Sequence, residues 1–451
     1  MPTDSEKSAA SESAPGDSLS PVPHDAYAAI RRPNFRWYWI GNLVSVLGIQ
    51  MQSVTVGWEV YKRTDDVLYL GLIGLVQVIP VFSLALVAGH VADRFDRKKV
   101  LMAAVTLSGL ASLGLAAVSH FQLHVGGMFA CLFLIGIARA FQQPAKSSFL
   151  PQLVPREIFP NAVTWSLGAF QLASVAGPAV AGLAVAGLGY VEIYLFQATA
   201  ASLFLLMLWR VRHTRPAERR EVPSLRDLSE GIYFVWNNKV ILGAMALDMF
   251  AVLLGGATAL LPVFAKDILQ IGPVEFGWLA AAQALGALVM SLALMHRPPL
   301  QRAGRDLLWA VAGFGIAIIV FGFSRSFYLS FAALAAAGAC DCVSVVVRHS
   351  LVQMLTPDRM RGRVSAISSM FISASNELGE FESGTVAALT SPIFAVVAGG
   401  IGTIVVAATT AVSIPSLRKY GGLNFKSEQE ALPHGVIENA SQVEPEEAAG
   451  K

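Results

Sequence analysis

The stretch 68–119, "LYLGLIGLVQVIPVFSLALVAGHVADRFDRKKVLMAAVTLSGLASLGLAAVS", holds two apolar runs separated by a short basic loop. Each run, 68–91 and 99–119, is long enough for a helix to cross a hydrocarbon slab, which takes about 20 residues. The loop between them carries Arg94, Arg97, Lys98 and Lys99. Backbone polar groups find no water in lipid, so each run reads as a membrane-crossing helix and the loop as a turn on one membrane face.

Working outward, the pattern repeats. Further runs lie near 37–60, 126–147, 160–186, 191–210, 240–264, 275–296, 307–324, 328–354, 364–388 and 393–414. The chain of 451 residues is 54% hydrophobic and only 14% charged, whereas a soluble domain has about 25% charged residues. The expected fold is an all-α membrane protein with twelve transmembrane helices in two six-helix halves. The expected division is a disordered tail at 1–35, a first half at 36–210, a linker at 211–238, a second half at 239–414 and a disordered tail at 415–451. The polar start has no apolar segment of the signal-peptide kind.

Lys and Arg in the loops set the orientation. Arg31, Arg32, Arg36, the loop from Arg94 to Lys99, Lys146, Arg156, the linker arginines, Arg297, Arg302, Arg305, Arg359, Arg361 and Arg363 fall on one side. The other side has Lys62, Arg63, Lys266 and Arg325. Both termini are therefore expected in the cytoplasm, with the chain in the cytoplasmic (inner) membrane. Trp37, Tyr38, Trp39, Trp58 and Tyr61 bracket the first run as interface anchors do. In the linker, Leu225, Leu228, Ile232 and Val235 recur at helical spacing, which suggests either a short amphipathic helix on the cytoplasmic surface or a plain structured linker.

A formal charge of +2 gives no reason to expect nucleic acid as a partner. The expected partners are the lipid bilayer, a small-molecule substrate and protons, and the expected state is a monomer. Cys131, Cys340 and Cys342 lie in apolar runs without disulfide or zinc spacing. No nucleotide-binding signature and no nucleophile with a base occur, so neither a cofactor nor an enzymatic activity is expected.

"SFLPQLVPREIF" (148–159) matches "SLVQMLTPDRMR" (350–361) at an offset of 202, pairing Ser148 with Ser350, Leu153 with Leu355 and Pro155 with Pro357. The same offset sets Arg139 on Asp341, Lys146 on Arg348, Gly177 on Gly379, Pro178 on Glu380 and Gly182 on Gly384. A duplicated half fits a transporter that rocks around a central site.

The loop "GHVADRFDRKKV" (89–100) resembles the G-x-x-x-D-R-x-G-R-K signature of the major facilitator superfamily through Gly89, Asp93, Arg94, Arg97 and Lys98, with Asp96 where a glycine is usual. The resemblance implies that Asp93 bonds to the cytoplasmic start of the eleventh span, flanked by Arg361 and Arg363, and favours an outward-open state. Gly89 is expected to allow a tight helix approach. "GPAVAG" (177–182) is similar to the G-x-x-x-G-P-x-x-G-G signature of drug-exporting members, with Ala173 and Ala181 in two glycine positions. Gly177, Pro178, Gly182 and the repeat-related Gly379 and Gly384 are expected to pack helices. "EGIYFVW", "LLPVFAKDIL" and "RHSLVQMLTPDRMRGRVSAI" look like the enterobactin-exporter-like branch of that superfamily.

The eleventh run contains "ASNELGEFESG" (374–384), with Glu377, Glu380 and Glu382. Glu377 lies about 20 Å from the helix start, deep in a core of about 30 Å. A charge there costs several kcal/mol unless it is paired or wet, so these groups face the protein interior or a cavity. Ser373, Asn376, Glu377, Glu380 and Gly384 share one helical stripe, and Glu382 lies off it. Adjacent carboxylates in low dielectric do not both ionise cheaply, so one is expected to carry a proton. They act either as proton carriers or as a fixed network. Asp248 and Asp341 are further proton-coupling candidates. Asp341 is alternatively the counter-ion of Arg348 or Arg139. The resemblance implies that spans one, four, seven and ten line a central cavity, which makes Arg139, Gln50 and Gln52 substrate-cavity candidates, the two glutamines alternatively bonding between helices; Asn376, on the polar stripe of the eleventh span, is a further candidate. Glu59 is expected to be solvated.

The expected function is proton-coupled efflux of an amphipathic small molecule, siderophore-like or drug-like, by alternating access. The alternatives are inward transport by the same fold, or a receptor or assembly partner that moves nothing.

Overall fold

The computed structural model describes residues 25–212, 225–298 and 300–421, and no strand occurs among them. The first half comprises α1 (Pro33–Thr64), α2 (Leu68–Arg94), α3 (Arg97–His120), α4 (Gly126–Leu153), α5 (Phe159–Gly187) and α6 (Tyr190–Arg210). The linker helix is α7 (Leu225–Asn237). The second half comprises α8 (Lys239–Leu254), α9 (Leu261–Val263), α10 (Pro273–Met295), α11 (Ala303–Phe323), α12 (Phe327–Leu355), α13 (Asp358–Leu389), α14 (Pro392–Ser413) and the short α15 (Pro415–Arg418). Among the described residues, ten stretches are long and apolar enough to cross a membrane. The remaining two crossings are α1 and α13, each 32 residues long, and α13 is less apolar because it carries the three glutamates.

Local chemistry marks the helix ends. Asp96 accepts a hydrogen bond from the Lys98 amide at 2.9 Å and so caps α3. The residue that departs from the usual glycine is thus a helix cap. Asn238 accepts from the Val240 and Ile241 amides at 3.2 Å and caps α8, and Ser391 caps α14 through the Phe394 amide. Between α5 and α6, Gly189 adopts φ 115°, a conformation that side chains disfavour.

The seventh run is not one helix. It breaks after Leu254 into a 3-10 turn at Ala257–Leu260, then α9, then a π turn at Phe264–Ile268. Gly255 lies against the Phe314 ring and Gly256 against the Gly379 carbonyl, where a helix with side chains would not fit. Pro262 also removes a backbone donor.

Packed structure extends into the inner ends of both expected tails. Ala29 is fully buried, and the Asn161 and Trp165 side chains both donate to the Ala26 carbonyl, so residues from Asp25 onward pack on the start of α5. At the other end Leu417 is fully buried beside Gly304. The rest of both tails lies outside the described residues, as do the side chains of 225–229. The remainder of α7 packs on α8 and α13, with Val235 buried while Ile232, Tyr233 and Trp236 are exposed.

Within the first half α1 packs on α5 and α6, and α3 on α4 and α6. In the second half α8 packs on α13 and α14, α10 on α12, and α11 on α12 and α14. The halves meet where α2 packs on α13 and α5 on α10. The glycines of the repeat sit at matching contacts. A Cβ on Gly177 would lie 2.6 Å from Gln50 of α1, and one on Gly379 would lie 2.9 Å from the Leu253 carbonyl of α8, each inside its own half. Gly182 meets Gly277, and Gly384 meets Gly71, both across the halves. Small residues allow this close approach where no hydrophobic effect separates helix from lipid. Gly89 does not follow the expectation: among the described residues nothing lies within 4 Å of the position a Cβ would take.

Candidate functional site

The helices alternate in direction, so the arginine-rich loops gather at one end of the bundle, here called the basic end. The cross-half contacts Gly182–Gly277 and Gly71–Gly384 lie toward the opposite, far end. There Trp58 of α1 stacks on Phe276 of α10 with ring centroids 4.7 Å apart. Tyr61 donates to Asp267 and Lys266 pairs with Asp65, so the π turn reaches across to the end of α1. The far end is closed.

Between the halves lies a cavity of about 610 Å³. That is within the usual range of about 300–1,000 Å³ for small-molecule sites. From α1 it is lined by Asn42, Gln50, Gln52 and Ser53, and from α4 by Arg139, Gln142, Gln143 and Lys146. The α4 set recurs three, four and seven residues on from Arg139, one face of a helix. Glu377 and Glu380 enter from α13.

Arg139 Nη1 lies 2.9 Å from Glu377 Oε1, an ion pair that bridges the two halves inside the cavity. Arg139 also donates to Gln77 Oε1 of α2 at 3.4 Å. Glu380 lies against Gly74 of α2, where a Cβ would come 2.8 Å from Glu380 Oε2. Among the described residues no cation pairs with Glu380. Among the described residues Arg139 thus pairs with Glu377 alone, and the trio, one cation and two carboxylates, needs one proton to be neutral. Gln50 donates to Ser174 Oγ at 3.0 Å. The Asn42 and Gln52 side-chain oxygens are buried and accept no hydrogen bond among the described residues.

Of the sequence candidates, Gln50, Gln52, Arg139, Glu377 and Glu380 therefore converge on the cavity, and others do not. Asn376 is exposed and is not among the residues that line it. Asp248 is not a cavity group either: its Oδ2 lies 2.9 Å from Arg348 Nη1, and both side chains are buried between α8 and α12. Asp341, seven residues before Arg348, is partly buried and likewise does not line the cavity. Glu382 is partly buried and accepts from Ser383 Oγ at 3.4 Å.

Glu59, expected in solvent, is fully buried. It pairs with Arg63 at 2.6 Å and accepts from Ser119 Oγ at 2.7 Å and from the Tyr194 hydroxyl at 2.6 Å. Arg63 also donates to the Ser119 and Leu123 carbonyls at the end of α3. Burial is tolerated because every carboxylate oxygen has a donor.

In the loop between α2 and α3, Arg94 is exposed and Asp96 caps α3, while the Asp93 side chain lies outside the described residues. Arg97 donates to the Ser148 carbonyl, and Lys98 to the Val211 carbonyl at 2.9 Å. Arg361 donates to the Gln353 and Thr356 carbonyls. Arg363 pairs with Glu230 of the linker helix at 2.6 Å. Lys146, a loop charge by sequence, stands inside α4, and the helical spacing 139, 142, 143, 146 is the signal that places it on the cavity face.

Comparison with known proteins gives a consistent result. The enterobactin exporter EntS of Shigella boydii serotype 18 is 25% identical over 392 residues, covering 86% of this chain and 93% of that one. EntS of Escherichia coli O1:K1 / APEC is 24% identical with the same coverage. Among solved structures, a bacterial homologue of the human lysosomal transporter Spinster, inward-facing and occupied, gives a TM-score of 0.69 at 12% identity, covering 85% of this chain and 97% of that one. A bacterial homologue of the iron transporter ferroportin, inward-facing, gives 0.66 at 16% identity, covering 84% and 98%. The model of the transmembrane secretion effector family matches residues 24–441. This chain, a multi-pass membrane protein with the major facilitator fold, belongs to that family of transporters, and it is not an enzyme.

Proposed function

We propose that the chain exports an amphipathic small molecule in exchange for protons, with the basic end and both termini in the cytoplasm. The observation that carries this reading is the Arg139–Glu377 pair spanning the halves inside the cavity, with Glu380 beside it and lacking a cation of its own among the described residues. The excess of Lys and Arg at the basic end supports the orientation. On that orientation the cavity faces the cytoplasm, the side from which an exporter loads.

The cycle follows from charge balance. Facing the cytoplasm, the trio has released its proton, Arg139 is held by Glu377, and the cavity accepts substrate. Rocking parts the far-end contacts Gly182–Gly277, Gly71–Gly384 and Tyr61–Asp267 and presents the cavity to the outside. Substrate leaves, a carboxylate takes a proton from outside, and the neutral trio crosses back at lower electrostatic cost. The proton is then discharged to the cytoplasm. One inward proton accompanies each outward substrate.

The test uses protein reconstituted into liposomes with an imposed pH gradient, following accumulation of fluorescent amphiphiles and the accompanying proton flux. Inside-out orientation with an acidic interior is expected to accumulate the amphiphile. Glu377→Gln and Glu380→Gln are expected to abolish gradient-driven transport at wild-type expression. Unaltered pH dependence in both variants would refute proton coupling at this site.

A further inference from the structure

We infer that the exported molecule is an organic anion, whose acidic group binds Lys146 while its hydrogen-bonding groups meet Asn42 and Gln52. This rests on the export reading and adds the charge of the cargo.

Three observations combine. Lys146 lines the cavity, and among the described residues no carboxylate pairs with it. Its Nζ instead lies 5.7 Å from the centroid of the buried Phe204 ring. The cavity's other cation, Arg139, is already committed to Glu377. A bare ammonium in a partly buried wall is costly, and an anion arriving from outside the protein offsets that cost.

Position adds direction. Lys146 lies seven residues from Arg139 toward the basic end, about 10 Å along α4. Cargo entering from the basic end therefore meets Lys146 before it meets the carboxylates. Loops rich in Lys and Arg surround that entrance and attract anions from a distance.

The second half of the site is polar and unsatisfied. Asn42 is 8% exposed and Gln52 5%, both line the cavity, and the side-chain oxygen of each lacks a donor among the described residues. A buried acceptor without a donor is costly, and a hydroxyl or amide of the cargo removes that cost. The two amides stand ten residues apart on α1, about 15 Å, so the site suits an elongated molecule with donors along its length. Phe170 and Ile135 add apolar wall to the same cavity.

The experiment uses the purified full chain in lipid nanodiscs and two matched probes. These are 1-anilinonaphthalene-8-sulfonate and its parent without the sulfonate, N-phenyl-1-naphthylamine. Fluorescence titrations are corrected with empty nanodiscs, and saturable binding is defined by displacement with unlabelled naphthalene-1-sulfonate. A charge-assisted hydrogen bond predicts about tenfold tighter binding of the sulfonate. Lys146→Met, which keeps the length of the side chain, is expected to remove that preference, and Lys146→Arg to retain it. Asn42→Ala and Gln52→Ala are expected to weaken both probes alike. If the wild type binds both probes equally, or Lys146→Met keeps the preference, the inference is overturned while the export reading stands. If neither probe binds saturably, the inference falls, and the cavity loses its standing as an amphiphile site as well.

Discussion

Filling the far-end glycine contact should turn the transporter inside out. A Cβ on Gly277 would lie 2.6 Å from the Pro178 carbonyl oxygen and 2.8 Å from Gly182 Cα, both backbone atoms that do not swing away. Ordinary contact starts at 3.4 Å, so α5 and α10 must part by about 0.8 Å even for alanine, and by more for valine. Overpacking of this kind costs about 1–3 kcal/mol. The cost falls only on the state in which the far ends touch. A penalty of that size moves a two-state population ratio by about fivefold to 150-fold. Spin labels at Phe121 and Tyr328, which are 68% and 82% exposed at the far end of opposite halves, report the separation. The three native cysteines are first replaced by serine. Gly277→Val is expected to raise the long-distance fraction at least about fivefold, by the same penalty. Gly384→Val should do likewise through the repeat-related contact, where a Cβ would sit 2.6 Å from Gly71 Cα. Gly187→Ala is the control, since nothing lies within 4 Å of its Cβ position. A folded Gly277→Val protein with the wild-type distance distribution would refute the assignment of these glycines to closure.

The remaining predictions concern buried charges and helix ends. Asp248→Asn strands the buried Arg348, whose Nε already lacks a partner, and should lower stability by about 3–5 kcal/mol in thermal unfolding. Replacing both partners by apolar side chains of similar size, Asp248→Leu together with Arg348→Met, should recover most of that loss; no recovery would mean the pair does more than balance charge. Glu59→Gln should cost about 3 kcal/mol, because Arg63 loses its only carboxylate among the described residues. Lys266→Ala removes a partly exposed cross-half pair and should change far-end opening by less than about fivefold; a larger change in the same spin-label assay would make the pair, rather than the glycines, the main latch. Asn238→Ala removes the α8 cap and should cost about 1 kcal/mol.

The sequence by itself determined the solvent and the architecture. Apolar runs of crossing length, a basic bias on alternate loops and the offset of 202 follow from one-dimensional rules, because lipid satisfies no backbone hydrogen bond. Glu377 and Glu380 are legible for the same reason: a carboxylate at that depth needs a protein neighbour. Which neighbour it has was decided only in three dimensions. Nothing local pairs Arg139 with Glu377 rather than Asp341 with Arg139, or sends Asp248 to Arg348 away from the cavity. Glu59 reads as a surface charge until α3 and α6 enclose it. Asn376 reads as a cavity residue because it shares a helical stripe with Glu377 and Glu380, yet it is exposed and absent from the cavity lining. Lys146 reads as a loop charge because its depth depends on where α4 ends. Helical period tells which residues share a face, but the direction of that face is set by rigid packing across the two halves, and for those contacts only the tertiary structure holds the information.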